Sequence, residues 1–233
     1  VTTPSADDSL ATALTTAIHT GDTDGLRQHL RDRPALATAR INGRSPLHIA
    51  TDWPGHFPNV ANTIAVLVDA GAEVNARFQG SHSETPLHWA ASSDDVEALD
   101  ALLDAGADID ADGAVIAGGT PLADARAFAQ WRTARRLVER GATTTLTDAA
   151  TLGLLDRVKA YFPGATSEEV NVAFWGACHG GQQECAEYLL GHGAELNWTP
   201  PWEPMTPLDA AERSKATDLV LWLRERGAKS AVK

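Results

Sequence analysis

Cysteine is almost missing from this chain: only Cys178 and Cys185 occur, too few for a disulfide framework. A basic excess is missing as well. Lys plus Arg number 19 against 31 Asp plus Glu, a formal charge of −12. Such a balance repels phosphate backbones, and no basic stripe interrupts it, so no nucleic-acid partner is expected. No stretch approaches the run of about 18 apolar residues that reads as a membrane span, so no membrane partner is expected either. The opening Val1–Gly21 has no basic segment followed by an apolar one, unlike a secretory signal. Both cysteines stand where neighbouring units carry alanine, as small buried thiols in a reducing compartment do. A soluble, cytoplasmic protein is the expectation.

Catalytic signatures are also lacking. The chain contains no G-x-S-x-G, no G-x-x-x-x-G-K-[ST], no H-E-x-x-H and no G-x-G-x-x-G. Cys178, His179, Cys185 and His192 lie close together without the spacing of a zinc site. Neither a metal nor a cofactor is expected.

What the chain does contain is a recurring hexapeptide. Thr85-Pro86-Leu87-His88-Trp89-Ala90 is preceded by Ser45-Pro46-Leu47-His48-Ile49-Ala50, and followed by Thr120-Pro121-Leu122-Ala123-Asp124-Ala125 and Thr206-Pro207-Leu208-Asp209-Ala210-Ala211. Thr85 to Gly106, Thr120 to Gly141 and Thr206 to Gly227 are each 21 residues, and a Gly-Ala pair closes each unit. The local chemistry is legible. A Thr hydroxyl at the helix N-cap takes a free backbone N–H, and proline at the next position has no N–H to leave orphaned. A second helix follows at three- and four-residue apolar steps, as in Val96, Leu99, Leu102 and Leu103, and Gly106 ends it.

Starts mostly about 34 residues apart mark a stacked array of helix-turn-helix units. The motif resembles the ankyrin repeat, with its T-P-L-H-x-A opening and G-A ending. That resemblance implies an all-α solenoid with short loop fingers, roles of His48 and His88 in bonding adjacent loops, and a recognition function. Seven units are expected, near residues 10–33, 45–71, 85–106, 120–141, 144–165, 172–193 and 206–227. Because one unit cannot bury its apolar face alone, they are expected to form one cooperative domain over 1–233. The unit from Ser45 holds an insertion, Asp52 to Asn59, whose two prolines exclude regular helix.

Helical spacing places the residues two, five and six positions after the motif leucine on one side of each first helix. In ankyrin arrays that side and the fingers line a concave face. Trp53, Trp89 and Phe128 fall there, with Asp52, Asp124, Asp148 and His179 interleaved. His56, Phe57, Phe78, Trp175, Trp198 and Trp202 lie close in sequence to the same surface. Aromatic anchors supply contact area at little entropic cost, so Asp52, Trp53, His56, Phe57, Phe78, Trp89, Phe128, Trp175, Trp198 and Trp202 are the expected ligand-binding residues. Their occupant would be a partner protein segment or a small apolar or aromatic molecule. A cofactor-free enzyme is the competing expectation. Asp124, Asp148 and His179 would then carry acid–base chemistry such as dehydration, isomerisation or cyclisation, in a slot where burial raises a carboxyl pKa.

Overall fold

The computed structural model describes residues 6–231, with side chains from Ser9 onward. Part of the segment read above for a leader lies outside the described residues. Among those described, no strand forms, only an isolated bridge between Ile41 and Arg44. The described residues form fourteen α-helices in seven hairpins, and the chain divides into two compact bodies, Val1–Ala142 and Thr143–Lys233.

The N-terminal body holds α1 (Ala6–Thr20) with α2 (Thr23–Asp32), α3 (Pro46–Ala50) with α4 (Val60–Asp69), α5 (Pro86–Ser92) with α6 (Val96–Asp104), and α7 (Pro121–Ala127) with α8 (Trp131–Glu139). First helices pack on first helices and second on second: α3 meets α1 and α5, α5 meets α7, α4 meets α2 and α6, and α6 meets α8. The motif leucines Leu47, Leu87 and Leu122 are buried in these contacts beside Leu67, Leu99 and Leu137. The C-terminal body repeats the scheme with α9 (Leu146–Thr151) and α10 (Leu155–Tyr161), α11 (Ser167–His179) and α12 (Gln183–Gly191), α13 (Pro207–Arg213) and α14 (Thr217–Glu225). Its centre is Phe174, fully buried among Val158, Leu189, Leu208 and Leu223.

One boundary differs from the sequence reading. The sixth hairpin does not open at Val172; α11 starts at Ser167, and its cap is Thr166. The reason is a capping box. Thr166 Oγ1 takes the Glu169 N–H, and Glu169 Oε2 takes the Thr166 N–H at 2.8 Å. The fifth inner helix, α9, starts at Leu146, and Asp148 falls at its third position, closing a capping box with Thr145. The insertion is non-helical from Thr51 to Asn59, as its prolines require.

A hydrogen-bond ladder ties repeat to repeat within a body. His48 Nδ1 accepts the Ser45 N–H, so Nε2 carries the proton and donates 3.0 Å to Glu84 O, the carbonyl just before the next cap, Thr85. His88 repeats this with the Thr85 N–H at 3.1 Å and Gly119 O at 3.3 Å, just before Thr120. Burial lowers both imidazole pKa values, that of His48 to about 4, so both stay neutral donors. In the last hairpin Asp209 does the reverse and accepts the Ala231 N–H at 3.0 Å. Ala123 occupies the same slot in α7 and has no side-chain polar atom to offer.

Candidate functional site

Two polar-aromatic clusters form, one in each body, each built on the slots just described. In the N-terminal body Glu84 ends the finger before α5. Its Oε2 accepts the Trp89 indole N–H at 2.8 Å, and its Oε1 accepts the Val115 backbone N–H from the following finger at 3.0 Å. His82 Nδ1 lies 2.9 Å from Oε2 without hydrogen-bond alignment. Trp89 is half-buried, edge-on to His48 at 4.8 Å and tilted against Phe78 at 5.5 Å; Phe78 in turn lies 4.7 Å from His82.

Asp124 comes from α7 to the side of Glu84. It is fully buried, and neither carboxyl oxygen has an N–H or O–H donor in hydrogen-bond geometry. Burial first, and the facing Glu84 carboxylate second, push its pKa up to about 8; the Ile116 backbone opposes this only weakly. The pair therefore holds a proton that an exposed aspartate would have lost near pH 4.

In the C-terminal body, Trp175 occupies in α11 the slot that His88 fills in α5, five residues before the helix's C-cap. Its indole N–H donates 3.0 Å to Met205 O, the carbonyl just before the Thr206 cap. Trp175 is thus buried and serves as the ladder donor, where the sequence reading made it a ligand contact. Over it lies the Arg213 guanidinium, 5.7 Å from the ring, with its charge met by Glu203. His179 stacks on Trp175 at 5.4 Å, while Trp202 stands edge-on to Trp175 at 6.3 Å and to Trp198 at 6.0 Å. Trp202 remains 59% exposed.

The other expected residues distribute as follows. Asp52 is paired with Arg44. His56 and Phe57 cover helix turns and do not join Phe78 and Trp89: His56 donates its backbone N–H to Asp95 at 2.6 Å, and Phe57 stacks on His19 at 4.2 Å. The prolines that break the helix carry the insertion over the α1–α2 and α5–α6 turns. Trp53 projects from it, 82% exposed, and Phe128 is 45% exposed at the end of α7. Asp148 spends Oδ2 on the Thr145 N–H and hydroxyl at 2.9 and 2.7 Å. The acid–base trio is divided: Asp124 belongs to the N-terminal body, Asp148 and His179 to the C-terminal body.

Sequence reasoning missed Glu84, His82 and the clamp of Arg213 on Trp175. A charged residue directly before a Thr-Pro cap is the signal that would have found Glu84, because that position faces the preceding repeat's ladder donor. Burial raises both thiol pKa values, that of Cys185 to about 11, which makes them packing groups and not nucleophiles. A surface depression of about 390 Å³ opens between α2 and α4, lined by Arg27, Leu30, Arg31, Pro34, Val66, Asp69 and Ala70; none of the expected site residues lines it.

Stacked helical hairpins with Thr-Pro caps and bridging imidazoles define a helical repeat scaffold. Residues 42–78 and 82–114 match the family model of the ankyrin repeat. The human ASB11 ankyrin repeat domain has the same fold, with a TM-score of 0.56 at 21% identity over 90% of this chain and 96% of that one. Protein fem-1 homolog A of Rattus norvegicus is 35% identical over 98 residues, covering 38% of this chain. The same figures hold for protein fem-1 homolog A-A of Mus musculus. The match spans 14% of the length of those curated relatives. Ankyrin repeats are thus matched over residues 42–78 and 82–114, and such repeats are in general protein–protein interaction modules.

Proposed function

We propose that this protein is a recognition module that takes a partner protein segment against its aromatic clusters. The observation that carries this reading is Trp202, which leaves more than half of a large ring in water. It is backed by Trp198 and Trp175, and Trp175 is pinned beneath Arg213. An aromatic held rigid before binding loses little entropy on association, which is why such rings act as anchors. In the N-terminal body Trp89 and Phe78 form a second, half-buried patch over Glu84.

The acid–base alternative has one observation in its favour, the burial of the Asp124 carboxyl, which pushes its pKa up. Its other two members are engaged elsewhere. Asp148 closes a helix cap, and His179 stacks on Trp175 with its Nδ1 3.4 Å from the Arg213 guanidinium.

Selection of a displayed peptide library on the folded chain tests the reading. Selected peptides should lose at least about tenfold in affinity for Trp202→Ala, the loss of a modest hot spot. Peptides that bind Trp202→Ala and the parent equally would remove the Trp202 surface as the site.

A further inference from the structure

The finger that follows the third hairpin is tied to its neighbours by His88 at Gly119 O and by Glu84 at the Val115 N–H, and Asp124 lies by the Ile116 backbone. Residues 113–119 close on themselves through Gly113 N–H to Gly118 O and Ala114 N–H to Gly119 O, at 3.1 and 3.0 Å. Their outer edge, Val115 and Ile116, stands 52% and 41% exposed. The side-chain bond on this edge is Val115 N–H to Glu84 Oε1, and the same carboxylate holds Trp89 through Oε2. Glu84 thus links a finger, an indole and, through its own carbonyl, the His48 rung.

Asp124 enters this arrangement with two buried, donor-free oxygens. Two facing carboxylates cannot both be charged there without strong repulsion, whereas one proton between them turns repulsion into an O–H···O bond. We propose that the Glu84–Asp124 pair is a proton-operated latch: with one proton shared, it holds the Val115–Ile116 edge of the finger beside Trp89, and loss of that proton frees that edge while His88 still holds Gly119. The apolar Val115–Ile116 edge and the Trp89 patch then change position together, which makes the shape of that patch dependent on proton concentration.

The surrounding charges do not replace the proton. His88 is a neutral donor to Gly119 O. Arg77, the cation on the adjoining finger, is spent on Ser83 O and on Asp112. His82 lies by Glu84 Oε2, which already accepts the Trp89 N–H. Arg126, two positions beyond Asp124 in α7, is half-buried and also has a partner. Burial holds Asp124 protonated near neutrality, and the release falls on the alkaline side of it.

Amide exchange of Val115, read as a protection factor to remove the intrinsic pH dependence of exchange, tests the latch on the whole chain. Protection should fall at least about tenfold between about pH 6.5 and 9.5, while Asp124→Asn should keep it constant across that range. Glu84→Gln removes the opposing charge, so the transition should move at least about one pH unit lower while Trp89 remains folded in. Constant protection in the parent chain would overturn the proposal. So would an unchanged transition in Asp124→Asn, which would assign the titration to His82 or to another group.

Discussion

The two bodies solve the same packing problem with opposite charges. In the N-terminal body the indole of Trp89 is held by a carboxylate, and a second acid, Asp124, waits beside it without a donor. In the C-terminal body the indole of Trp175 is held by a backbone carbonyl, and the group above it is a guanidinium already neutralised by Glu203. The first arrangement brings two acids together, the basis of the proposed latch; the second sets its cation against one acid and has no such carboxyl pair. Aromatic clusters in the two bodies can therefore be either proton-sensitive or indifferent, according to one or two neighbouring residues.

The largest way to break the comparison is at the ladder. Trp175→Ala removes a buried ring and orphans Met205 O, and should destabilise the C-terminal body by about 3–5 kcal/mol in urea unfolding. Trp175→His restores a donor in the slot that His48 and His88 fill, so it should recover more of that loss than Trp175→Phe. Equal recovery by Phe would mean that volume alone matters there.

Next in size is the proton term. Asp124 has a folded pKa raised above its unfolded value, so its contribution is fully present below about pH 4 and is lost as pH rises through about 8. Across that window the parent chain should lose on the order of a few kcal/mol that Asp124→Asn does not lose. Unfolding midpoints measured from about pH 5 to 9 would show two converging curves at the acid end and a gap at the alkaline end. Parallel curves would place the titration elsewhere.

Smaller still are the turns. Six of the seven hairpins pass through one left-handed residue before the second helix (the second, with its insertion, has three), and Ala129 (φ +57°) and Lys215 (φ +58°) fill that place without being glycine. Ala129→Gly in one body and Lys215→Gly in the other should each stabilise by up to about 1 kcal/mol. Thermal melts that fall instead would show that these side chains make contacts worth more than the backbone strain.

Much of the architecture is legible in the sequence because it is local. Thr-Pro caps, apolar steps of three and four and closing Gly-Ala pairs each act within one hairpin, and they place most helices within a few residues. The start of α11 escapes the repeat spacing although Thr166-Ser167-Glu168-Glu169 spells a capping box, because the 21-residue offset back from Gly193 falls on Val172. Gly180, the C-cap of α11, is fixed by packing: a Cβ there would lie 1.9 Å from Thr151 O, so the end of α11 packs directly on the α9 backbone. Less of the candidate site can be read. Trp175 reads as a ligand contact because it is an aromatic close in sequence to the expected concave face, and only the carbonyl of Met205 reveals that its indole N–H does a histidine's work there. The Glu84–Asp124 encounter joins residues 40 positions apart in different repeats, and no periodicity marks it.

The indole N–H resonances of Trp89 and Trp175, followed by NMR from about pH 6 to 9.5, test the contrast between the bodies most directly. The Trp89 signal should move with a midpoint near pH 8 as its acceptor's partner loses the shared proton, while the Trp175 signal stays fixed. Two stationary signals, or two that move together, would contradict it.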